Sequence, residues 1–223
     1  TDRSGKSFTI SAWINMDQYT NNSGSKGNVI MGHGPRVHMN YNGSLVLATT
    51  ETGVLKIISG ASNKVTSVLE TSVDLDTWTY LTLVYDNSDF SVSVYKDGTL
   101  VATKNNTQQL ELFGDDPCIF FVGGAGFSGF CDEFQFFDRA LNSNDVKQAY
   151  SNPQNISGLT VWYDFNTIEE GSSFTNKVTE SDQVNTKATF YNLTGGQTNS
   201  DGGYISITTV SYTHLRAHET VLD

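Results

Sequence analysis

The chain lacks most of the features that announce a function on sight. It has two cysteines and three prolines in 223 residues, too few cysteines for a disulfide-dense scaffold or a four-cysteine zinc site. No run of 18 apolar residues occurs, which excludes a membrane-spanning helix of ordinary length. Positive charge is scarce: 13 Lys and Arg stand against 24 Asp and Glu, a formal charge of −11. That balance repels nucleic acid and anionic membranes, so neither is expected as a partner, and it leaves room for cations. HExxH, Cys-x-x-Cys and Gly-x-Ser-x-Gly are all missing, so the signatures of zinc proteases, thiol redox centres and α/β-hydrolases are not there. The opening Thr1-Asp2-Arg3-Ser4-Gly5 carries neither a methionine nor an apolar leader, and the sequence is read as a fragment of a longer protein.

What is there suits β-structure. Hydrophobic residues make up 37% of the chain and include 13 Phe and 10 Tyr, residues that favour strands over helices. Phe8, Ile10, Ala12 and Ile14 alternate with polar residues and with Trp13, which predicts a half-buried strand. Asp76–Tyr85 predicts a second, and Val29–Met31, Arg36–Asn40, Ser44–Thr49, Val54–Ser59, Ser91–Tyr95 and Leu100–Ala102 predict shorter ones. Asn42-Gly43 and Asp97-Gly98 are hairpin turns by composition. Cys118–Val122 and Gly129–Phe137 follow as strands, and Asp138-Arg139-Ala140-Leu141 turns the chain into a short helix. Asn142 or Ser143 is placed to cap that helix, which carries Val146, Ala149 and Tyr150. Further strands are expected at Leu159–Phe165, Ala188–Leu193 and Tyr204–Thr208. Short strands punctuated by turns predict an all-β antiparallel sandwich or barrel, not βαβ units.

The last residues break this pattern. Val210-Ser211-Tyr212-Thr213-His214-Leu215-Arg216-Ala217-His218-Glu219-Thr220 resembles the translated read-through of a transposase sequencing adapter. Residues 210–223 are therefore set aside as adapter-derived, and His214 and His218 with them.

Phe8–Ile14, Trp78–Tyr85, Val94–Gly98, Phe127–Gly129 and Asp132–Leu141 keep an order and spacing over residues 7–150 that resembles the laminin-G-like and pentraxin-like domains of the concanavalin A-like lectin/glucanase superfamily. The resemblance implies a jelly-roll β-sandwich in a secreted or surface protein that binds glycans or proteins, in some cases with calcium. It also bears on domain organisation. Gly158–Asn166 resembles the phrase that opens such domains, so residues 1–152 are expected to be one sandwich lacking its first strands. On this reading 153–157 is a linker, and 158–209 holds the first strands of a second repeat, which either stand apart or fold back to complete the first sandwich.

Glycoside hydrolysis uses two carboxyl groups, about 5–5.5 Å apart in retaining enzymes. The Glu-x-Asp-x-x-Glu spacing of the superfamily's hydrolases is absent from Cys131–Asp138, and strand alternation sends Asp132 and Glu133 to opposite faces. The chain is therefore expected not to be an enzyme. Asp115, Asp116, Asp132, Glu133 and Asp138 are instead the candidate calcium ligands, since calcium takes about six to eight oxygens. Asp132 has the alternative of holding the Phe127–Gly129 loop. His33 and His38 lack the further ligands of a zinc site, and Gly123–Gly126 lacks the lysine and helix of a phosphate loop.

Tyr19, Tyr41, Phe113 and Phe127 fall near expected loops and are the candidate sugar platforms, whereas Trp13, Trp78 and Trp162 are expected to pack within strands. Cys118 and Cys131 would meet as a disulfide if their strands were neighbours, and otherwise are buried free thiols. Asn21, Asn42, Asn105, Asn155 and Asn192 each begin an Asn-x-Ser/Thr sequon, a glycosylation acceptor in a secreted protein. The expected function is a non-catalytic glycan- or protein-binding adhesion module of a larger extracellular, cell-surface or virion-associated protein. The alternative is a purely structural repeat.

Overall fold

A computed structural model describes residues 6–19, 27–34, 44–60, 65–105, 119–124, 126–165, 173–174, 177–178, 188–189, 193–199 and 202–207. Among these, the strands are β1 (Phe8–Met16), β2 (Asn28–Gly34), β3 (Ser44–Thr49), β4 (Val54–Gly60), β5 (Val65–Ser72), β6 (Thr79–Asp86), β7 (Ser91–Lys96), β8 (Thr99–Asn105), β9 (Ile119–Val122) and β10 (Gly129–Phe137). The helix α1 (Ser143–Ser151) follows, then β11 (Leu159–Tyr163), β12 (Ser173–Phe174), β13 (Ala188–Thr189), β14 (Leu193–Asn199) and β15 (Gly202–Ile207).

The strands form an all-β, two-sheet antiparallel sandwich of jelly-roll type. One sheet has the order β14-β15-β10-β1-β6-β7-β8, with β11 also on β10; the other runs β5-β4-β3-β2-β9. Alternation in β1 does what the sequence predicts. Phe8, Ile10, Ala12, Ile14 and Met16 enter the core between the sheets, where they meet Leu81, Leu83 and Tyr85 of β6 and Ile30, Leu45, Leu47 and Ile57 of the opposite sheet. Burial of this kind stabilises by about 1.5–3 kcal/mol per large side chain.

The expected strands at Val29–Met31, Ser44–Thr49, Val54–Ser59, Ser91–Tyr95 and Leu100–Ala102 fall within β2, β3, β4, β7 and β8. The one at Arg36–Asn40 and the Asn42-Gly43 turn lie outside the described residues. Asp97 and Gly98 have φ of 50° and 74°, both positive as a two-residue hairpin of this hand requires. The strand β5 was not expected, because Val65, Val68 and Leu69 do not alternate: Leu69 is buried and Val68 is exposed.

A second, smaller core lies on the outer face of the larger sheet, under the helix. Val84, Tyr95 and Phe137 of the sheet pack against Leu141, Val146, Ala149 and Ile156. Thr9 locks the corner onto β1: its Oγ1 donates to the Arg139 carbonyl at 2.9 Å and accepts from the Leu141 amide at 3.1 Å. Asn142 caps the helix, accepting from the Asn144 and Asp145 amides, while Asp145 answers to the Asn142 amide and binds the Arg139 guanidinium at 2.8 Å. Asn142→Ala should lower unfolding free energy by about 1 kcal/mol, read from urea melts, with Asn142→Asp close to wild type. Equal loss in both variants would show that the cap is not the source.

Pro153 and Ile156 are buried, so the expected linker packs as part of the fold. Beyond it β11 pairs antiparallel with β10, Phe134 opposite Tyr163 and Gln135 opposite Trp162. The same edge of β10 continues with β15, Gly129 opposite Ile207. Tyr163 and Phe165 enter the main core.

The expected Cys118–Cys131 pair is only half described. Cys131 is a fully buried free thiol, whose pKa burial raises well above its ordinary value, with Asp132 adding to the rise. The strand after Cys118 pairs with β2 in the other sheet, so the Gly123–Gly129 segment crosses between sheets instead of turning a hairpin. Cys118 itself lies outside the described residues.

Candidate functional site

Register lays three rows of side chains across the outer face of the larger sheet, beside the helix. The first is Thr82, Ser11, Gln135 and Trp162; the second is Tyr80, Trp13 and Asp132; the third begins Asn15 and Phe130. Trp78, two residues before Tyr80, extends the third row and touches Phe130 with ring centroids 6.5 Å apart. Trp13, Tyr80 and the helix residue Tyr150 form a triangle of rings, with centroids 5.3 to 5.4 Å apart. Trp78 and Tyr150 are each 38% exposed, among the largest apolar exposures described.

A β-bulge sets the acidic part of this face. Ser11 pairs with Gln135 and Trp13 with Asp132, so Ala12 alone opposes both Glu133 and Phe134. Glu133 absorbs the extra residue at φ 50°, and such a bulge reorients the side chains beside it. Asp132 shares the face of Trp13. The Glu133 carboxylate accepts from Trp162 Nε1, and Trp162 pairs with Gln135 on that same face. Strict alternation predicted that the two acids diverge; the bulge brings both to the outer side.

Their environment is poor in positive charge. Asp132 Oδ1 accepts the Glu133 amide at 2.8 Å, and does not hold the Phe127–Gly129 loop as the sequence had allowed. Partial burial, with Glu133 and Asp164 adding repulsion, pushes the Asp132 carboxyl up to about 7. Burial also raises Glu133, against the Trp162 hydrogen bond and Lys177, which lower it. Lys177 is tied to Asp164 at 3.2 Å. Tyr80, buried and donating to Gln135 Oε1 at 3.0 Å, is likewise raised, chiefly by burial. Asn15 Oδ1 is buried with no hydrogen-bond partner.

The residues singled out by sequence are only partly gathered here. Asp132 and Glu133 belong to the face; Asp138 is exposed at the far end of β10, roughly 20 Å along the strand. Asp115 and Asp116 lie outside the described residues. Among the described residues no three His, Cys, Asp or Glu are grouped to hold a metal ion. Phe127 is 1% exposed, a core residue and not a platform, because the chain crosses between the sheets at that point. Tyr19 is half-buried, packs on the core and donates its hydroxyl to the Val73 carbonyl. Tyr41, Phe113, Asn21, Asn42 and Asn192 lie outside the described residues; Asn105 and Asn155 are exposed.

Sequence reasoning missed Trp78, Tyr150, Asn15, Phe130, Trp162, Asp164 and Lys177. Trp78 was assigned to packing, yet it precedes β6 and faces solvent. One signal was available: Cys131 and Phe134 both face inward although three residues apart, an odd spacing that requires a bulge.

Comparison with known proteins places the fold. A laminin-G family model described as "Concanavalin A-like lectin/glucanases superfamily" matches residues 1–147. No curated protein matches the chain. Among solved structures, a putative carbohydrate binding protein from Bacteroides ovatus is 19% identical with a TM-score of 0.57, over 78% of this chain and 50% of that one. Domain 4 of AbnA, an extracellular GH43 arabinanase of Geobacillus stearothermophilus solved with arabinotriose, gives 19% and 0.51, over 66% and 67%. The CBM40 of the Ruminococcus gnavus IT-sialidase, bound to α2,3 sialyllactose, gives 14% and 0.51, over 65% and 82%. The chain spans half the length of the Bacteroides protein, and at these identities the likeness is one of fold.

Proposed function

Since the chain belongs to the Concanavalin A-like lectin/glucanases superfamily, we propose that it is a non-catalytic glycan- or protein-binding adhesion module of a larger multidomain extracellular or surface protein. The observation that carries this reading is the pair of exposed rings, Trp78 against Phe130 and Tyr150 against Trp13, on the face that also carries the half-buried Asp132. An aromatic ring offers an apolar face to the C–H face of a pyranose, while a carboxylate accepts its hydroxyl protons in charge-assisted bonds. Similar structures described as carbohydrate-binding or solved with saccharides support the glycan over the protein ligand. Among the described residues no helix is long and apolar enough to cross a membrane.

Two carboxylates on one face also suit hydrolysis, which the superfamily's enzymes carry out. Asp132 and Glu133 are adjacent residues, however, and reach the ligand from one flank, whereas a glycosidase brackets the scissile bond. Binding without turnover is the expected behaviour.

The test is a glycan array probed with the full chain, with calcium and with a chelator. Binding to a saccharide should be equal in both and at least tenfold weaker in Trp78→Ala, whose melting temperature stays near wild type. A blank array defeats the glycan reading. Release of reducing sugar that disappears in Asp132→Asn would overturn the non-catalytic one.

A further inference from the structure

An amine and two carboxyl groups that can react with one another are brought together on three neighbouring segments. β11 lies antiparallel to β10 with Phe134 opposite Tyr163, so one step further along that register Glu133 faces Asp164. A separate backbone bond, from the Lys177 amide to the Trp162 carbonyl at 2.8 Å, sets Lys177 beside β11 as well. Its ammonium then lies 3.2 Å from Asp164 Oδ2. The Asp164 side chain is only 16% exposed, and its chain neighbours Tyr163 and Phe165 are both anchored in the main core. Glu133 is fixed in turn by the indole of Trp162, which donates Nε1 to its carboxylate.

We propose that Lys177 and Asp164 condense to an isopeptide bond, with Glu133 relaying the proton. In the ion pair a proton passes from the ammonium to the Asp164 carboxylate, which leaves a neutral amine beside a neutral acid. Lys177 Nζ then attacks Asp164 Cγ with its lone pair, and the C–N bond forms. Glu133 takes a proton from that nitrogen and delivers it to the departing hydroxyl, so that the C–O bond breaks and water leaves. Amine plus acid become amide plus water, nothing is oxidised or reduced, and Glu133 ends as it began.

Free amines and acids do not condense in water, because water competes at its own high molarity. Fixed neighbours escape that limit, since well-oriented groups reach effective molarities of about 10⁵–10⁸ M. Both reacting side chains here are held by backbone on either side of one contact. Burial holds the Glu133 carboxyl above its ordinary range, with the Trp162 bond and Lys177 opposing the rise and Asp164 adding to it. A relay works best when its own proton affinity is moved toward the working pH. The Lys177 side chain, 36% exposed, is the open side through which the released water departs. The bond staples the Lys177 segment to β11, the strand whose Tyr163 completes the core.

Intact-mass measurement of the full chain, denatured after incubation at pH 8, tests the bond. Wild type should be lighter than its sequence by the mass of one water, and trypsin should release a branched peptide joining Asp164 to Lys177. Lys177→Arg keeps the ion pair but has no amine to acylate, and should show the full sequence mass with a folded spectrum. Glu133→Gln, which still accepts from Trp162, should condense at least tenfold more slowly. Wild type that keeps its full sequence mass after prolonged incubation would overturn the proposal. So would a loss of water that persists in Lys177→Arg, since it would come from dehydration elsewhere in the chain. Condensation at the wild-type rate in Glu133→Gln would remove Glu133 from the reaction and leave the bond standing.

Discussion

Gly129→Ala is expected to cost about 3 kcal/mol or more, at the severe end for a single substitution. Gly129 opens β10 at φ +144°, a region that side chains rarely adopt. A Cβ there would fall on the Asn15 carbonyl oxygen and lie 2.9 Å from the Met16 Cα. Both obstacles are backbone of β1, in the middle of the larger sheet, and neither can swing aside. Gly129 pairs with Met16 on one side and Ile207 on the other, so strain spreads to the sheet centre and to the third row of the outer face. Chemical denaturation checks the figure. A variant within about 0.5 kcal/mol of wild type, the range of ordinary surface substitutions, would mean that the close approach of β10 to β1 is not a feature of the protein in solution.

The second large effect is a dependence on pH set by Asp132. Burial pushes its carboxyl up to about 7 in the folded chain, from an ordinary aspartate value of 3.8. The unfolded chain releases this proton first, so between about pH 4 and pH 7 the native state holds more protons and loses stability as the pH rises. Below that window the contribution is fully present; above it, absent. Solvent reaching the half-buried group reduces the ideal figure, leaving on the order of 2 kcal/mol. Asp132→Asn removes the titration while preserving the acceptor for the Glu133 amide. It should melt about 4 to 8 °C above wild type at pH 8, with the gap closing toward pH 4. Parallel melting curves for the two proteins across that range would show that Asp132 is not desolvated.

The sandwich was legible in the chain because its information is local. The alternation of Phe8, Ile10, Ala12 and Ile14 predicts β1 and its inner face, and Asn142 with Asp145 marks the start of the helix. What could not be read is information held between strands. Nothing near Cys118 or Cys131 says that β9 joins the other sheet, since a strand's sheet is decided by which partner completes its ladder. The outer-face rows were missed for the same reason. Trp78, Asn15 and Phe130 are far apart in sequence, and only register makes them a row. Asp132 and Glu133 were found as residues and misplaced as a pair, because a bulge one residue long reverses the parity of everything beyond it.

The shared edge of β10 bears on where a functional unit ends. Sequence similarity to the family stops at residue 147, but Phe134–Phe137 complete their ladder only with Leu159–Tyr163. A polypeptide cut after Ser151 would keep every residue the family recognises. It would also leave an open strand edge, the kind that recruits other chains, empty the places of Tyr163 and Phe165 in the core, and deprive Glu133 of its indole partner. Homology and hydrogen bonding thus draw two different borders around the same module, and the second is the one that a recombinant version of this sandwich has to respect.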